Sequence, residues 1–128
     1  MLPLAAALAL LFTAASAQDV EDESRAGKLA FNNSCRTCHS IDEGDNRLGP
    51  NLHDLIGREA GSQEYGYSPA MAASGIVWDA ETLDRFIKDP EAVVPGNNMK
   101  PYGGISDAGI RASIVSYLGA ASGDDEGG

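Results

Sequence analysis

The feature that most constrains this chain is a pair of cysteines three residues apart, with a histidine directly after the second. The chain has 128 residues and two cysteines, Cys35 and Cys38, and the next residue is His39. A disulfide that closes so short a loop would stabilise the fold little, because the stabilisation grows with loop length. A chain this small also buries only a modest core of its own. The pair therefore indicates chemistry at this segment rather than a structural crosslink.

The spacing Cys-x-x-Cys-His is the attachment signature for a covalent haem. Two thiols three residues apart can reach the two vinyl groups on one porphyrin edge, and His39 can then bind the iron. The motif predicts one haem c per chain, attached through Cys35 and Cys38. Three alternatives compete: a thioredoxin-like redox pair, which needs a sheet, a zinc site, which needs four ligands, and a plain disulfide.

The second axial ligand decides whether such a haem carries electrons or binds a substrate. Three residues after the motif are candidates: His53, Met71 and Met99. Met71 lies in an alanine-rich segment and is interpreted as core filler, and His53 as a loop histidine. Met99 follows a Pro-Gly pair that stiffens its loop, so Met99 is the predicted ligand.

The pattern of caps and apolar residues predicts a small all-α fold with long loops. Helices are expected at Arg25 to Asn33, at Pro69 to Ser74, from an N-cap at Asp79 to about Asp89, and from an N-cap at Ser106 to about Leu118. Residues 18–24 are expected to be frayed, 40–62 and 90–105 to be loops, and Gly119 to open a tail.

The two ends of the chain differ from its body. Residues 1–17 are almost entirely apolar and end in a small-x-small sequence, which predicts a secretory signal peptide cut before Gln18 and export to the bacterial periplasm. The alternative, a membrane anchor, is disfavoured because the run falls short of about 20 residues. Residues 18–128 then form one domain with an acidic flexible tail at about 120–128. The net charge of −10 argues against nucleic acid as a partner.

From about Gly27 to Leu118 the sequence resembles the class I cytochromes c, specifically the soluble bacterial relatives of mitochondrial cytochrome c. Order and spacing agree along the chain. The shared features are Gly27 and Phe31, the Cys35–His39 motif, Gly49-Pro50-Asn51-Leu52-His53, Gly57-Arg58, Tyr67-Ser68, Gly75-Ile76-Val77-Trp78, Glu81-Thr82-Leu83, Val94-Pro95-Gly96, Met99, and Tyr117-Leu118.

The resemblance implies the small cytochrome c fold, with three main helices plus short ones around one haem. Met99 would be the sixth ligand, and the Pro50 carbonyl would accept a hydrogen bond from His39. Gly27 and Phe31 would lie where the first and last helices cross. The residues implied at the haem propionates are Arg58, Tyr67, Ser68, Trp78 and, in place of a threonine, Asn97.

The implied function is that of a soluble one-electron carrier and not an enzyme, shuttling electrons between larger redox complexes, as in a respiratory chain. Its partners would be membrane redox complexes or periplasmic dehydrogenases and oxidases, and it would act as a monomer without stable membrane insertion. Arg36, Arg47 and Lys100 predict a mildly positive docking patch, with apolar docking through Pro101 and Tyr102 as the alternative. A haem enzyme or ligand-binding protein with an open sixth site, or a subunit of a larger enzyme, remains open.

One departure from the resemblance concerns the methionine. Phe86 stands where mitochondrial proteins have a tyrosine whose hydroxyl reaches the methionine sulfur.

Overall fold

The computed structural model describes residues 17–121, and five helices lie within that range. They are α1 (Ala17–Ser34), α2 (Pro69–Ala72), α3 (Ala80–Lys88), α4 (Pro90–Val93) and α5 (Ala108–Ala120). The one β pairing among these residues is an isolated bridge between Glu59 and Val77. The predicted all-α fold with long loops is confirmed. Within the described range, no helix combines the length and the apolar character that a membrane span needs.

The first helix is longer than predicted. We expected residues 18–24 to be frayed and the helix to begin at Arg25, but α1 already begins at Ala17. Acidic side chains near a helix N-terminus interact favourably with the helix dipole, and Asp19 lies in the first turn. Asp22 and Arg25 also form an exposed ion pair at 3.7 Å, three residues apart. The polar composition that suggested fraying is therefore compatible with a solvated helix.

Helices α1 and α5 cross in close contact. A Cβ atom placed on Gly27 would lie 2.4 Å from the Ser113 carbonyl oxygen, so only glycine fits there. One turn later, the rings of Phe31 and Tyr117 meet with centroids 5.5 Å apart. Ile114, which is fully buried, packs in the same core. The predicted crossing of the first and last helices is confirmed.

Helix α3 joins this pair through its apolar face, as predicted. Its N-cap Asp79 accepts a hydrogen bond from the Thr82 N–H at 2.7 Å. Its buried residues are Leu83, Phe86 and Ile87. On α5, the buried Arg111 guanidinium donates to the Asp84 carboxylate at 2.9 Å. That contact ties α3 to α5.

Three predicted helix ends were wrong by one to two residues. Helix α2 ends at Ala72 rather than Ser74. Asp107, not Ser106, caps α5, because the Asp107 side chain accepts a hydrogen bond from the Ile110 N–H. The Ser106 carbonyl accepts from the Arg111 guanidinium. Helix α5 also continues through Gly119 to Ala120 instead of ending at Leu118.

One short helix was missed in the segment 90–105, which we expected to be loop. Asp89 ends α3 and also caps α4, accepting from the Ala92 N–H at 3.3 Å. Pro90 occupies the first turn of α4, where its missing N–H costs nothing. The sequence Asp89-Pro90 is typical of a helix start, so α4 could have been predicted from the sequence.

Two predictions concern residues outside the described range. Residues 1–16 of the expected signal peptide lie outside it, as do residues 122–128 of the expected acidic tail. The division into a signal peptide and one domain stays a prediction.

Candidate haem site

The cysteine motif forms a turn that continues directly from α1. The Cys35 N–H donates to the Phe31 carbonyl at 2.8 Å, and the His39 N–H donates to the Cys35 carbonyl at 2.9 Å. Both thiols are free and partly buried. The two cysteines and the histidine therefore lie in a turn at the C-terminal end of α1.

The state of the thiols bears on the alternatives raised by the motif. Burial, with a smaller contribution from Cys38, raises the pKa of the Cys35 thiol to about 11. A thioredoxin-like pair requires the opposite shift, toward a reactive thiolate, and a sheet to carry it. Within residues 17–121, no group of three or more His, Cys, Asp or Glu side chains is arranged to hold a metal ion. Cys35 and Cys38 are not bonded to each other in the structure.

The His39 imidazole is buried and oriented by the backbone. Its Nδ1 lies 2.7 Å from the Pro50 carbonyl oxygen. A carbonyl only accepts, so Nδ1 carries the proton and the Nε2 lone pair is left for a metal. Burial lowers the pKa of His39 and nearby Arg58 adds to the shift, although the Pro50 hydrogen bond opposes it. The neutral imidazole, which is the form that binds iron, is therefore favoured.

Gly49 leaves the space that the His39 imidazole occupies. A Cβ atom on Gly49 would lie 2.4 Å from Cε1 of His39. The Gly49 N–H also donates to the Cys38 carbonyl at 2.7 Å, which holds the 49–50 segment against the motif. A larger residue would push the ring out of position.

A polar network lies beside this segment and contains two of the predicted propionate residues. Arg58 donates to the Asn51 carbonyl at 2.7 Å and to the His53 carbonyl at 2.9 Å. The buried Asn51 amide donates to Gln63 at 3.3 Å, and the Gln63 N–H donates to the Tyr67 hydroxyl at 3.2 Å. The network brings Arg58 and Tyr67 into one cluster. The Arg58 guanidinium already donates hydrogen bonds to two backbone carbonyls of the loop.

Ser68 and Trp78 lie at the edge of the same region. The buried Ser68 hydroxyl caps α2 by accepting from the Met71 N–H at 3.1 Å. The backbone N–H of Trp78 donates to the Arg58 carbonyl at 3.0 Å. The indole ring packs edge-on against Phe86, with ring centroids 5.1 Å apart. Each therefore has a structural role that does not depend on a cofactor.

Met99 is partly buried and packs against the main core, as does Cys35. Its N–H donates to the Asn97 side-chain oxygen at 2.9 Å. Farther along the loop, burial raises the pKa of Tyr102 to about 12, and the neighbouring Cys35 thiol adds to that shift. The loop after Met99 therefore runs beside the attachment motif.

The two other ligand candidates differ in how they are held. The Nδ1 atom of His53 lies 3.2 Å from the Ile41 carbonyl oxygen, and its Nε2 lies 3.4 Å from the Asp54 carboxylate. Both ring nitrogens thus have protein partners. Met71 lies in α2, where its N–H donates to the Ser68 hydroxyl, and its side chain packs against the core.

These residues fit a covalent haem. The donor set has two free thiols next to a histidine whose ring is fixed, whose neutral form is favoured and whose Nε2 is available. The glycine at position 49 leaves room for that ring. Soft sulfur and imidazole donors are those that hold haem iron and its porphyrin in c-type sites.

Comparison with known proteins agrees with this chemistry. The family model described as cytochrome c matches residues 24–122 of the chain. The chain belongs to the cytochrome c family. Cytochrome c2 of Rhodopila globiformis is 41% identical over 93 residues, which cover 72% of this chain and 87% of that protein. Cytochrome c-550 of Nitrobacter winogradskyi is 51% identical over 76 residues, which cover 58% of this chain and 69% of that protein.

A solved structure shares the fold of this cytochrome. It is cytochrome cH from Methylobacterium extorquens, with a TM-score of 0.69 and 35% identity, covering 76% of this chain and 97% of that one. Sequence and fold together make the chain a class I c-type cytochrome. Membership of the family implies a covalent haem c and a role as an electron carrier.

Sequence reasoning missed several residues that shape this cytochrome's site. Asn51 and Gly49 were noted only as parts of a shared motif, although Asn51 is 1% exposed and anchors the polar network. Glu91 was not considered at all, yet its carboxylate contacts the Met99 loop. A buried asparagine two residues after a glycine gives only a weak signal in the sequence, whereas the Glu91 contact depends on a turn that sequence alone does not fix.

Proposed function

We propose that this cytochrome is an exported carrier of single electrons, with one haem c per chain ligated by His39 and Met99. The observation that carries the proposal is the oriented imidazole next to two free thiols. When bound, the haem supplies the Fe(III)/Fe(II) couple, and a neutral thioether ligand favours the reduced state. The protein's part is to hold the ligands, keep water away and leave the donor and acceptor a docking surface.

Met99 is the proposed sixth ligand because the backbone that leads to it is held in place by hydrogen bonds and a tight turn. Asn97 holds the Met99 N–H, and the Gly96 turn precedes it with φ of 86°. His53 is a poorer candidate because both of its ring nitrogens already face protein oxygens. Met71 is proposed to be packing, as its place in a four-residue helix against the core suggests.

We propose that Arg58, Tyr67, Ser68 and Trp78 face the propionates. Their mutual proximity supports this role, and Arg58 adds a positive charge to a region that would otherwise bury two carboxylates. A propionate contact of Asn97 stays a prediction, and the structure adds a second role for this residue. Its two amide protons go to Glu91 and Val94, so it holds the ligand loop.

Partners and compartment follow from the same proposal. Residues 1–17 would direct export to the periplasm, where the monomer would exchange electrons with membrane redox complexes or periplasmic dehydrogenases and oxidases. The docking patch is smaller than the sequence suggested, because Arg47 is paired with Asp45 at 2.9 Å. Exposed Arg36 and Lys100 are left to provide the positive charge, beside Pro101 and Tyr102.

The first test asks whether the haem is covalent. Denaturing mass spectrometry of the mature protein should give the polypeptide from Gln18 plus the mass of one haem. A haem that extracts into acidified organic solvent would contradict the attachment.

The second test asks which residue is the sixth ligand. Met99→Ala should remove the weak absorption band at the red end of the oxidised spectrum, which reports iron–sulfur bonding, and should lower the reduction potential. Met71→Ala is the matched control and should change neither. If His53→Ala changes the ligand field instead, the site is bis-histidine. If the oxidised wild-type protein shows an open sixth position, the chain is a haem enzyme or ligand-binding protein.

A further inference from the structure

Glu91 uses both carboxylate oxygens to hold the turn that leads to Met99. The Gly96 N–H donates to Oε1 at 2.9 Å, and the Asn97 side-chain amide donates to Oε2 at 3.2 Å. Glu91 lies in the first turn of α4, five residues before the turn. A carboxylate that receives two N–H groups forms charge-assisted hydrogen bonds, which are stronger than bonds between neutral groups.

Asn97 passes this restraint on to Met99. Its side chain is buried, with 2% exposed, and all of its hydrogen-bonding groups are used. The amide donates a second hydrogen bond to the Val94 carbonyl at 3.0 Å, and the side-chain oxygen accepts from the Met99 N–H at 2.9 Å. A continuous series of hydrogen bonds therefore links Glu91 to the backbone of Met99.

The turn itself needs such support. Gly96 has a positive φ of 86°, and the Asn97 N–H closes the turn on the Val94 carbonyl at 3.1 Å. This geometry points the Gly96 N–H toward the Glu91 carboxylate rather than into a helix or strand. If the carboxylate were removed, the Gly96 N–H and one Asn97 proton would lose their partner, and the loop would have fewer restraints on its conformation.

We propose that Glu91, Gly96 and Asn97 form a clamp in which Glu91 is a positioning residue for the axial methionine. This rests on the proposed ligation by Met99. The clamp favours the loop conformation in which the sulfur stays in place, and so it sets how readily an external ligand displaces the methionine. Glu91 reaches the backbone of Met99 through Asn97.

The test measures displacement of the methionine by imidazole in the oxidised holoprotein, followed through loss of the sulfur band. Glu91→Ala should bind imidazole roughly fivefold to tenfold more tightly than wild type, the change expected from losing about one net hydrogen bond. Glu91→Gln should give a smaller change, because its amide oxygen can still accept from Gly96 while its NH₂ opposes the Asn97 NH₂. Glu81→Gln removes the same charge from an exposed position on α3 and should stay within about twofold of wild type.

A double-mutant cycle tests whether the clamp acts as a unit. Adding Glu91→Ala to Asn97→Ala should tighten imidazole binding by less than Glu91→Ala does in the wild type, because the Gly96 hydrogen bond is still lost but the Asn97 hydrogen bond is already absent. The clamp is refuted if Glu91→Ala and Glu91→Gln both behave like Glu81→Gln, or if the two alanine effects add. A wild-type protein without the sulfur band would refute Met99 ligation and the clamp with it, whereas a normal band with unchanged Glu91 variants refutes the clamp alone.

Discussion

Gly27→Ala should destabilise this cytochrome even though alanine is the better helix former. The new Cβ would lie 2.4 Å from the Ser113 carbonyl oxygen and 2.7 Å from Cβ of Tyr117. Real Cβ contacts below 3.0 Å essentially never occur, so the helices would have to separate by at least about 0.6 Å. Neither obstacle can rotate away, because one belongs to the backbone and the other is the first atom of a side chain.

The expected size follows from two opposing effects. Overpacking of this kind costs about 1–3 kcal/mol, and the rigid obstacles place Gly27 near the upper end. The gain in helix propensity on replacing glycine by alanine is about 0.8–1 kcal/mol. The net loss in the free energy of unfolding should therefore be about 2 kcal/mol. Helix α5 offers a matched control in Gly119, where the nearest atom to an added Cβ is Ile56 Cγ1 at 3.9 Å.

Denaturant unfolding of the holoproteins, followed by circular dichroism, measures both variants. Gly119→Ala should be unchanged or more stable by up to about 1 kcal/mol. The melting temperatures of the two variants should then differ on the order of 10 °C. If Gly27→Ala is as stable as Gly119→Ala, the close crossing of α1 and α5 does not constrain the fold and the reasoning fails.

Three further predictions concern the site, the surface and the packing of α5. Gly49→Ala should disturb the imidazole of the attachment motif and shift the reduction potential, whereas Gly66→Ala, with no atom within 4 Å of the added Cβ, should not. Lys100→Glu should slow electron transfer to the physiological acceptor at low salt and flatten its salt dependence, and a rate insensitive to both would favour apolar docking. Arg111→Leu should cost about 2–4 kcal/mol in unfolding experiments, because Asp84 and two backbone carbonyls lose their donor; a loss below about 1 kcal/mol would contradict that role.

The sequence predicted best those features that depend on neighbouring residues. The α3 cap was read correctly because Asp79 bonds the backbone only three residues away. The α5 cap was misplaced by one residue because Ser106 and Asp107 are both capable caps. In the structure Asp107 caps α5, while the Ser106 carbonyl accepts from the Arg111 guanidinium, which also reaches Asp84 on α3. That long-range contact leaves no trace in the local pattern.

The candidate site shows the same division between local and long-range contacts. The motif Cys35 to His39 is contiguous, so its chemistry could be read directly from the sequence. The shared family pattern led to Pro50, whose carbonyl the structure places 2.7 Å from the imidazole. The expected contact of Asn97 with a propionate stays a prediction, and the contacts of its amide with Glu91 and Val94 were not foreseen.

The long loops explain why these assignments required a structure. Between the attachment motif and α2 the chain forms no helix, and buried polar side chains such as Asn51 and Ser68 hold it in place. Among the described residues, no buried side-chain polar atom lacks a hydrogen-bond partner. Removing one partner of such a hydrogen bond is costly, because an unsatisfied buried polar group costs more free energy than the hydrogen bond contributes. The Glu91 clamp lies on the loop that carries Met99, and its carboxylate, unlike those buried groups, is exposed. It can therefore be weakened without opening the core, which is why its loss should change ligand exchange far more than stability.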